Sequence, residues 1–307
     1  MKKVIAAVLA AVLVIFTAPF LAACESGTVY DVVCTVFPQY DFCRKIAGEE
    51  LSVKMLLPVG TDAHNYMLTT KDKSAIKNCK LFVYIGGESE NWVKDVIKST
   101  DLSEVSLLNL SEKTELIYPT DEHEEEHEDH EEGFDEHIWL SIKNSIILCR
   151  AICEEMAELF PDKKEIFYRN CKDYISELGE LETRYAEELS EAEQKTLFFA
   201  DRFPFAYLVA DYGLNYRSVL HGCSTDTVIS PIDKIKFSEE YKSSGASGVF
   251  VLESGDDSLA ESVIRECGGK IYRLNSCQTV SEAELKSGKG YIEIMSENLE
   301  ELKEGLK

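Results

Sequence analysis

Seven apolar or aromatic residues recur at spacings of four and three in one stretch of the chain: Phe167, Cys171, Tyr174, Leu178, Leu181, Tyr185 and Leu189. This pattern marks a single apolar stripe on an α-helix. Taken from Lys163 to Leu189, such a helix would be about 40 Å long at 1.5 Å per residue. About two heptads is too short for a coiled coil, so we read it as a strut joining two lobes. Before it, the β-leaning runs Tyr30 to Phe37, Leu51 to Leu57 and Leu81 to Ile85 alternate with helical segments such as Ser74 to Cys79. After it, Thr196 to Ala200, Gly248 to Leu252 and Lys270 to Leu274 read as strands. Ser230 to Ser243, Asp256 to Cys267 and Tyr291 to Leu306 read as helices. Alternating strands and helices imply parallel sheets covered by helices. The predicted fold class is therefore α/β: two lobes, each with a mostly parallel sheet flanked by helices, joined by a long rigid α-helix. The expected division is an N-terminal lobe over 30–140, a helical linker over 141–192 and a C-terminal lobe over 193–307. The sequence itself shows no internal repeat.

The first residues address the compartment. Lys2 and Lys3 precede an apolar run from Val4 to Phe20, and Leu21-Ala-Ala-Cys24 follows. A short positive start, an apolar stretch and small residues before a cysteine describe a secretory signal over 1–23. The apolar run is short for a spanning helix, which needs roughly 20 residues. Leu-Ala-Ala-Cys resembles a bacterial lipobox, which implies a lipidated Cys24, a tether over 24–29 and an extracytoplasmic protein held to the bacterial cell membrane by lipid alone. The formal charge is -24. Loss of Lys2 and Lys3, the only charged residues of 1–23, would take it to -26. Such a balance argues against nucleic acid, which needs a basic face, and suits a cationic ligand. With Cys24 lipidated, nine of the ten cysteines would remain. Without CxxC or zinc-finger spacing, most read as small buried apolar residues.

Residues 121–137, DEHEEEHEDHEEGFDEH, hold eleven acids and four of the six histidines in the chain. Most of such a segment cannot bury a core and is expected to form a mobile, solvated loop, here taken as 121–136. Its histidines His123, His127 and His130 would gather metal weakly in a strongly negative field, an auxiliary capture loop for a tighter site. His64 lies just after a predicted strand and His137 at the exit of the acidic run. Loops at strand ends are where open α/β sheets bind ligands. His221 is read as an ordinary loop residue, and Glu253 as either a ligand-orienting group or a helix cap.

Gly60-Thr-Asp-Ala-His64-Asn-Tyr, Leu81-Phe-Val-Tyr-Ile-Gly-Gly-Glu and Asp135-Glu-His137-Ile-Trp-Leu resemble the zinc and manganese substrate-binding lipoproteins of ABC importers. Asp201-Arg-Phe-Pro-Phe-Ala-Tyr207, Asp211-Tyr-Gly-Leu214 and Gly222-Cys-Ser-Thr-Asp226 extend the likeness over nearly the whole mature chain. The resemblance implies one metal held between two lobes, with His64 and His137 as its N-lobe ligands. The family's third ligand is usually a histidine in zinc members and often a glutamate in manganese members. Asp201 is the nearest metal-competent residue here, and Arg202 is the alternative one register along. The fourth family position, often an aspartate, falls near Asn275, a poorer ligand.

Two imidazoles and a carboxylate suit Zn2+, with Mn2+ the alternative cargo, and not calcium or magnesium. The resemblance further implies a monomer that passes its divalent metal ion to an ABC importer permease and its ATPase. Two readings of another class are an extracellular metallo-hydrolase and a surface adhesin. For the first, HExxH and GxSxG signatures are missing from the sequence and no general base is nominated. The second predicts partner binding independent of metal.

Overall fold

The computed structural model of the chain describes residues 29–118, 133–220 and 229–307. The expected signal and lipidated Cys24, the histidines His123, His127 and His130, and His221 lie outside the described residues.

The first sheet contains β1 (Val32–Cys34), β2 (Val53–Met55), β3 (Leu81–Tyr84) and β4 (Ser106–Asn109), all parallel, in the order β2-β1-β3-β4. Helices α1 (Phe37–Ala47), α2 (Thr70–Asn78) and α3 (Asn91–Ser99) make its crossovers. The second sheet contains β5 (Thr196–Arg202), β6 (Asn215–Leu220), β7 (Gly248–Leu252) and β8 (Lys270–Leu274), parallel in the order β6-β5-β7-β8. Its helices are α6 (Ala206–Tyr212), α7 (Pro231–Ser244) and α8 (Ser258–Cys267). The two sheets share one topology, a repeat that the residues themselves do not spell. Between them run α4 (Ile142–Leu159) and the 27-residue α5 (Lys164–Ser190); α9 (Glu282–Ser287) and α10 (Tyr291–Gly305) close the chain.

The residues that α5 buries are the same seven that form the stripe in the sequence. They belong to one continuous core that takes side chains from both lobes. Strand alternation divides each sheet between this core and an outer one. Val32, Cys34, Leu81 and Val83 face the shared core, while Val33 and Phe82 face an outer cluster with Ile76, Val93 and Val96. In the second sheet Leu197 and Phe199 face inward, while Phe198 and Ala200 pack on Phe237, Tyr241 and Val263. The buried face of α5 is thus packed against side chains of both lobes. Polar contacts reinforce this packing: the Tyr185 hydroxyl donates to the Met295 carbonyl at 2.6 Å, and Tyr174 donates to Asp41 at 3.2 Å.

The strand expected over Tyr30 to Phe37 spans only Val32–Cys34, because Phe37 and Pro38 already open α1. Proline at the first turn of a helix loses no intrahelical bond, so it starts the helix instead of ending the strand. Seven of the eight described cysteines are buried, and none of the eight is in a disulfide.

Gly248 at the start of β7 meets Gly305 at the end of α10. A Cβ on Gly248 would lie 2.5 Å from the Gly305 carbonyl oxygen. Gly248→Ala is therefore expected to push α10 off its sheet and to cost about 1–3 kcal/mol, the usual penalty for overpacking. Thermal unfolding of the variant beside the parent checks it; an unchanged midpoint would mean that the helix end gives way freely.

Candidate metal centre

The carboxyl ends of both sheets face a common cleft of about 560 Å³. In doubly wound sheets this is the end at which ligands are held. Gly60, Asp62, His64 and His137 line one wall; Arg202, Glu253, Asn275, Ser276 and Gln278 line the other.

Both histidines are set by the same local device, an aspartate two residues upstream. Asp62 caps the short turn Ala63–Asn65, its Oδ1 accepting the His64 amide at 3.0 Å. Asp135 Oδ1 accepts the His137 amide at 2.9 Å and also lies 2.8 Å from His137 Nδ1. A carboxylate seated on Nδ1 orients the imidazole with Nε2 turned away from Asp135, the arrangement by which such a pair presents a ring nitrogen to a metal. The His137 ring packs on Trp139 at 5.2 Å between centroids and is 3 % exposed. Asp135 is in turn anchored from the other lobe: Tyr207 on α6 donates its hydroxyl proton to the Asp135 carbonyl at 2.8 Å. Trp139 Nε1 donates to the Ser276 carbonyl at 2.8 Å, tying the His137 turn across the cleft.

Between the two histidines stands Glu136. One donor atom each from His64, Glu136 and His137 lies within 4.8 Å of the others. Glu136 Oε2 accepts the Ser89 amide at 3.0 Å; its Oε1, buried and 3.9 Å from His64 Nε2, has no hydrogen-bond partner among the described residues. A buried carboxylate oxygen without a donor is costly, and a cation between the three groups removes that cost. The residues fit a divalent metal with mixed nitrogen and oxygen preference. The loop beneath is shaped for Glu136. A Cβ on Gly87, at φ +90°, would fall 2.6 Å from Glu136 Oε2. Glu90 pins the same loop, accepting the Ile85 and Gly86 amides at 2.8 and 2.7 Å, while Thr35 donates its hydroxyl to the other oxygen. Burial pushes the Glu90 carboxyl up to about 7.

The structure brings His64 and His137 together and does not bring Asp201 to them. Asp201 Oδ1 accepts the Arg202 amide at 2.7 Å; its Oδ2 is turned toward Gly255, away from the two histidines, and is buried with no hydrogen-bond partner among the described residues. Burial raises its carboxyl. Arg202 takes the cleft position instead, its Nη1 3.3 Å from Asp62 Oδ2. Glu253 caps no helix: its two oxygens accept the Ser276 hydroxyl at 2.9 Å and amide at 3.1 Å, pinning the loop after β8, while Asp257 stands at the start of α8. Asn275 Oδ1 accepts the Cys277 amide at 2.8 Å. The sequence reading missed Glu136, whose one signal was its place beside His137.

Fold and site together define a two-lobed binding protein with a metal-competent cleft at facing sheet ends. The family model described as "Zinc-uptake complex component A periplasmic" matches residues 32–305, and the chain belongs to that family. It is 32 % identical over 293 residues to the zinc-binding lipoprotein AdcA of Streptococcus pneumoniae, covering 93 % of this chain and 58 % of AdcA. It is 30 % identical over 292 residues to the high-affinity zinc uptake system protein ZnuA of Bacillus subtilis, covering 93 % of this chain and 90 % of that one. Among solved structures it resembles the Zn(II)-bound ZnuA-like domain of S. pneumoniae AdcA, with a TM-score of 0.76, 31 % identity, and coverage of 91 % of this chain and 99 % of that domain. The chain thus spans little more than half the length of whole AdcA. The described residues contain no helix long and apolar enough to cross a membrane.

Proposed function

We propose that the protein captures zinc outside the cytoplasm and delivers it to an ABC importer, passing the ion to the permease that the ATPase drives. The observation that carries this reading is the convergence of His64, Glu136 and His137, three donor atoms within 4.8 Å of one another at the mouth of an interlobe cleft. In this reading His64, His137 and Glu136 ligate the ion, while Asp62, Asp135 and Ser89 orient them. Two neutral imidazoles and one carboxylate match zinc's ligand preference, and the similar proteins are named for zinc. The family is one of substrate-binding proteins, and a site that holds and releases an ion needs no general base.

Membrane attachment would come through Cys24. The acidic segment with His123, His127 and His130 would feed the closed site. Metal content and competitive titration of the purified protein test the core of the proposal. The expected result is one tight zinc per chain that manganese does not displace. Glu136→Gln is expected to weaken zinc by at least about tenfold, or 1.4 kcal/mol. A variant that binds as tightly as the parent removes Glu136 from the ligand set. Deleting Asp121–Glu132 is expected to slow loading at low zinc while leaving final affinity intact. Loss of tight binding in that variant would instead place those histidines in the main site.

A further inference from the structure

Where α4 packs on the long strut, the contact is made partly of thiols. Cys149 and Cys153 stand one turn apart on α4, and Cys171 meets them from α5. Cys171 Sγ lies 3.6 Å from the Cys149 carbonyl oxygen. Side chains on a helix lean toward its N-terminus, so Cys153 reaches back over that same turn. There its thiol hydrogen-bonds with Cys171. Both thiols open onto a surface pocket of about 270 Å³, lined also by Arg150, Glu154, Tyr168 and Lys172. This pocket shares no lining residue with the interlobe cleft.

The other described thiols lack this combination. Cys34 and Cys43 also meet through a thiol hydrogen bond, but both are fully buried, and burial pushes the Cys34 thiol up. Cys267 is half-buried and opens onto a pocket lined by no second cysteine. Within the Cys153–Cys171 pair the two sulfurs are unequal. The hydrogen bond from Cys153 lowers the Cys171 thiol, helped by the Arg150 guanidinium, and the same bond raises Cys153. Thiolate, not thiol, is the reactive form, so Cys171 is placed to attack and Cys153 to resolve.

We propose that Cys153 and Cys171 form a peroxide-reactive dithiol that closes to a disulfide and staples α4 to the strut. The Cys171 sulfur attacks one oxygen of hydrogen peroxide and the O–O bond breaks. That oxygen stays on sulfur as a sulfenic acid, and the departing hydroxide takes up the Cys171 proton as water. Cys153 then attacks the sulfenic sulfur, the S–S bond forms, and the second hydroxide leaves as water with the Cys153 proton. Two thiols together lose two electrons, and one peroxide becomes two waters. Outside the cytoplasm, where the proposed function places the protein, thiols lack the glutathione and thioredoxin that keep them reduced in the cytosol. The dithiol needs neither zinc nor the cleft, so it stands or falls apart from the metal site.

The test treats the purified, fully reduced protein with limiting hydrogen peroxide and maps its cysteines by peptide mass spectrometry. A disulfide joining Cys153 to Cys171 is expected as the first cross-linked product. It should raise the thermal midpoint by about 5 °C, because it closes the chain from Glu154 to Asn170 into a loop, and dithiothreitol should reverse both changes. In Cys153→Ser, Cys171 is expected to stop at the sulfenic acid, which dimedone traps. In Cys171→Ser, Cys153 is expected to stay reduced under the same limiting peroxide. Two merely adjacent thiols would not show that asymmetry. Parent protein whose Cys153 and Cys171 stay reduced while other cysteines oxidise overturns the proposal, and this outcome depends on no variant folding. A first disulfide at another pair overturns it equally. Equal trapping in both single variants overturns the division of roles. A Cys153–Cys171 disulfide that leaves the midpoint where it was overturns the staple.

Discussion

Replacing His64 and His137 together with alanine is expected to abolish tight zinc binding. The loss should exceed the roughly 10–100-fold that removing the hydrogen-bond partner of one ligand costs, because two of three donors disappear at once. Asp135→Asn makes the graded comparison. It keeps the His137 imidazole but exchanges a carboxylate that fixes Nδ1–H for a weaker acceptor, so its expected cost lies within that 10–100-fold window. Chelator competition on the three purified proteins measures both. Acid should mimic the double variant reversibly, because proton and metal compete for the same imidazole lone pair. Affinity is expected to fall as pH drops below about 6.5, the ordinary imidazole range. Zinc retained at parental affinity by the double variant, or affinity flat down to about pH 5, would move the site away from these histidines.

What the sequence yielded and what it withheld divide along physical lines. The stripe on α5 was legible residue by residue, because a helix with one buried face repeats its demand every three or four positions. The strand Gly248 to Leu252 was legible for a related reason: a wholly buried run of β-branched and aromatic residues has few other places to go. Strand β6, Asn215–Leu220, carries mostly polar and half-exposed residues at a sheet edge and gave no such signal. His64 and His137 were legible because each sits in a short motif with its own orienting aspartate.

The facing wall was not legible to one residue. At the end of β5 successive side chains point to opposite sides, so the choice between Asp201 and Arg202 is a choice of face, and a single step reverses it. Asp201 turns toward Gly255, and Arg202 enters the cleft. Glu136 and Gln278 carry no periodic signal at all. Their importance arises when loops distant in sequence converge and leave a carboxylate oxygen and an amide nitrogen buried without partners among the described residues. Only three-dimensional satisfaction of hydrogen bonds exposes that.

Asp41→Ala is expected to be the most destabilising single change in the shared core. The Asp41 side chain on α1 is fully buried, yet it accepts the Tyr291 amide at 3.0 Å, the Tyr174 hydroxyl at 3.2 Å and Arg44 Nη2 at 3.1 Å. One carboxylate thus joins α1 to the strut and to the first turn of α10, where negative charge also meets the positive end of the helix dipole. Removing it leaves a buried amide and a buried hydroxyl unpaired and strands Arg44, a change of the kind that costs about 3–5 kcal/mol. The damage should also reach the cleft. Tyr291 donates its hydroxyl proton to the Trp139 carbonyl at 2.6 Å, and Trp139 carries the ring against which His137 packs. The expected result is a large fall in the apo thermal midpoint. Zinc should restore part of it, since a ligand that binds only the folded state stabilises by mass action. Asp41→Asn, which keeps the volume but loses the charge, should fall between. Differential scanning calorimetry of all three proteins with and without zinc decides it. An apo midpoint within a degree or so of the parent would show that α1, α5 and α10 are held by apolar packing alone, and that the carboxylate is a passenger in the core.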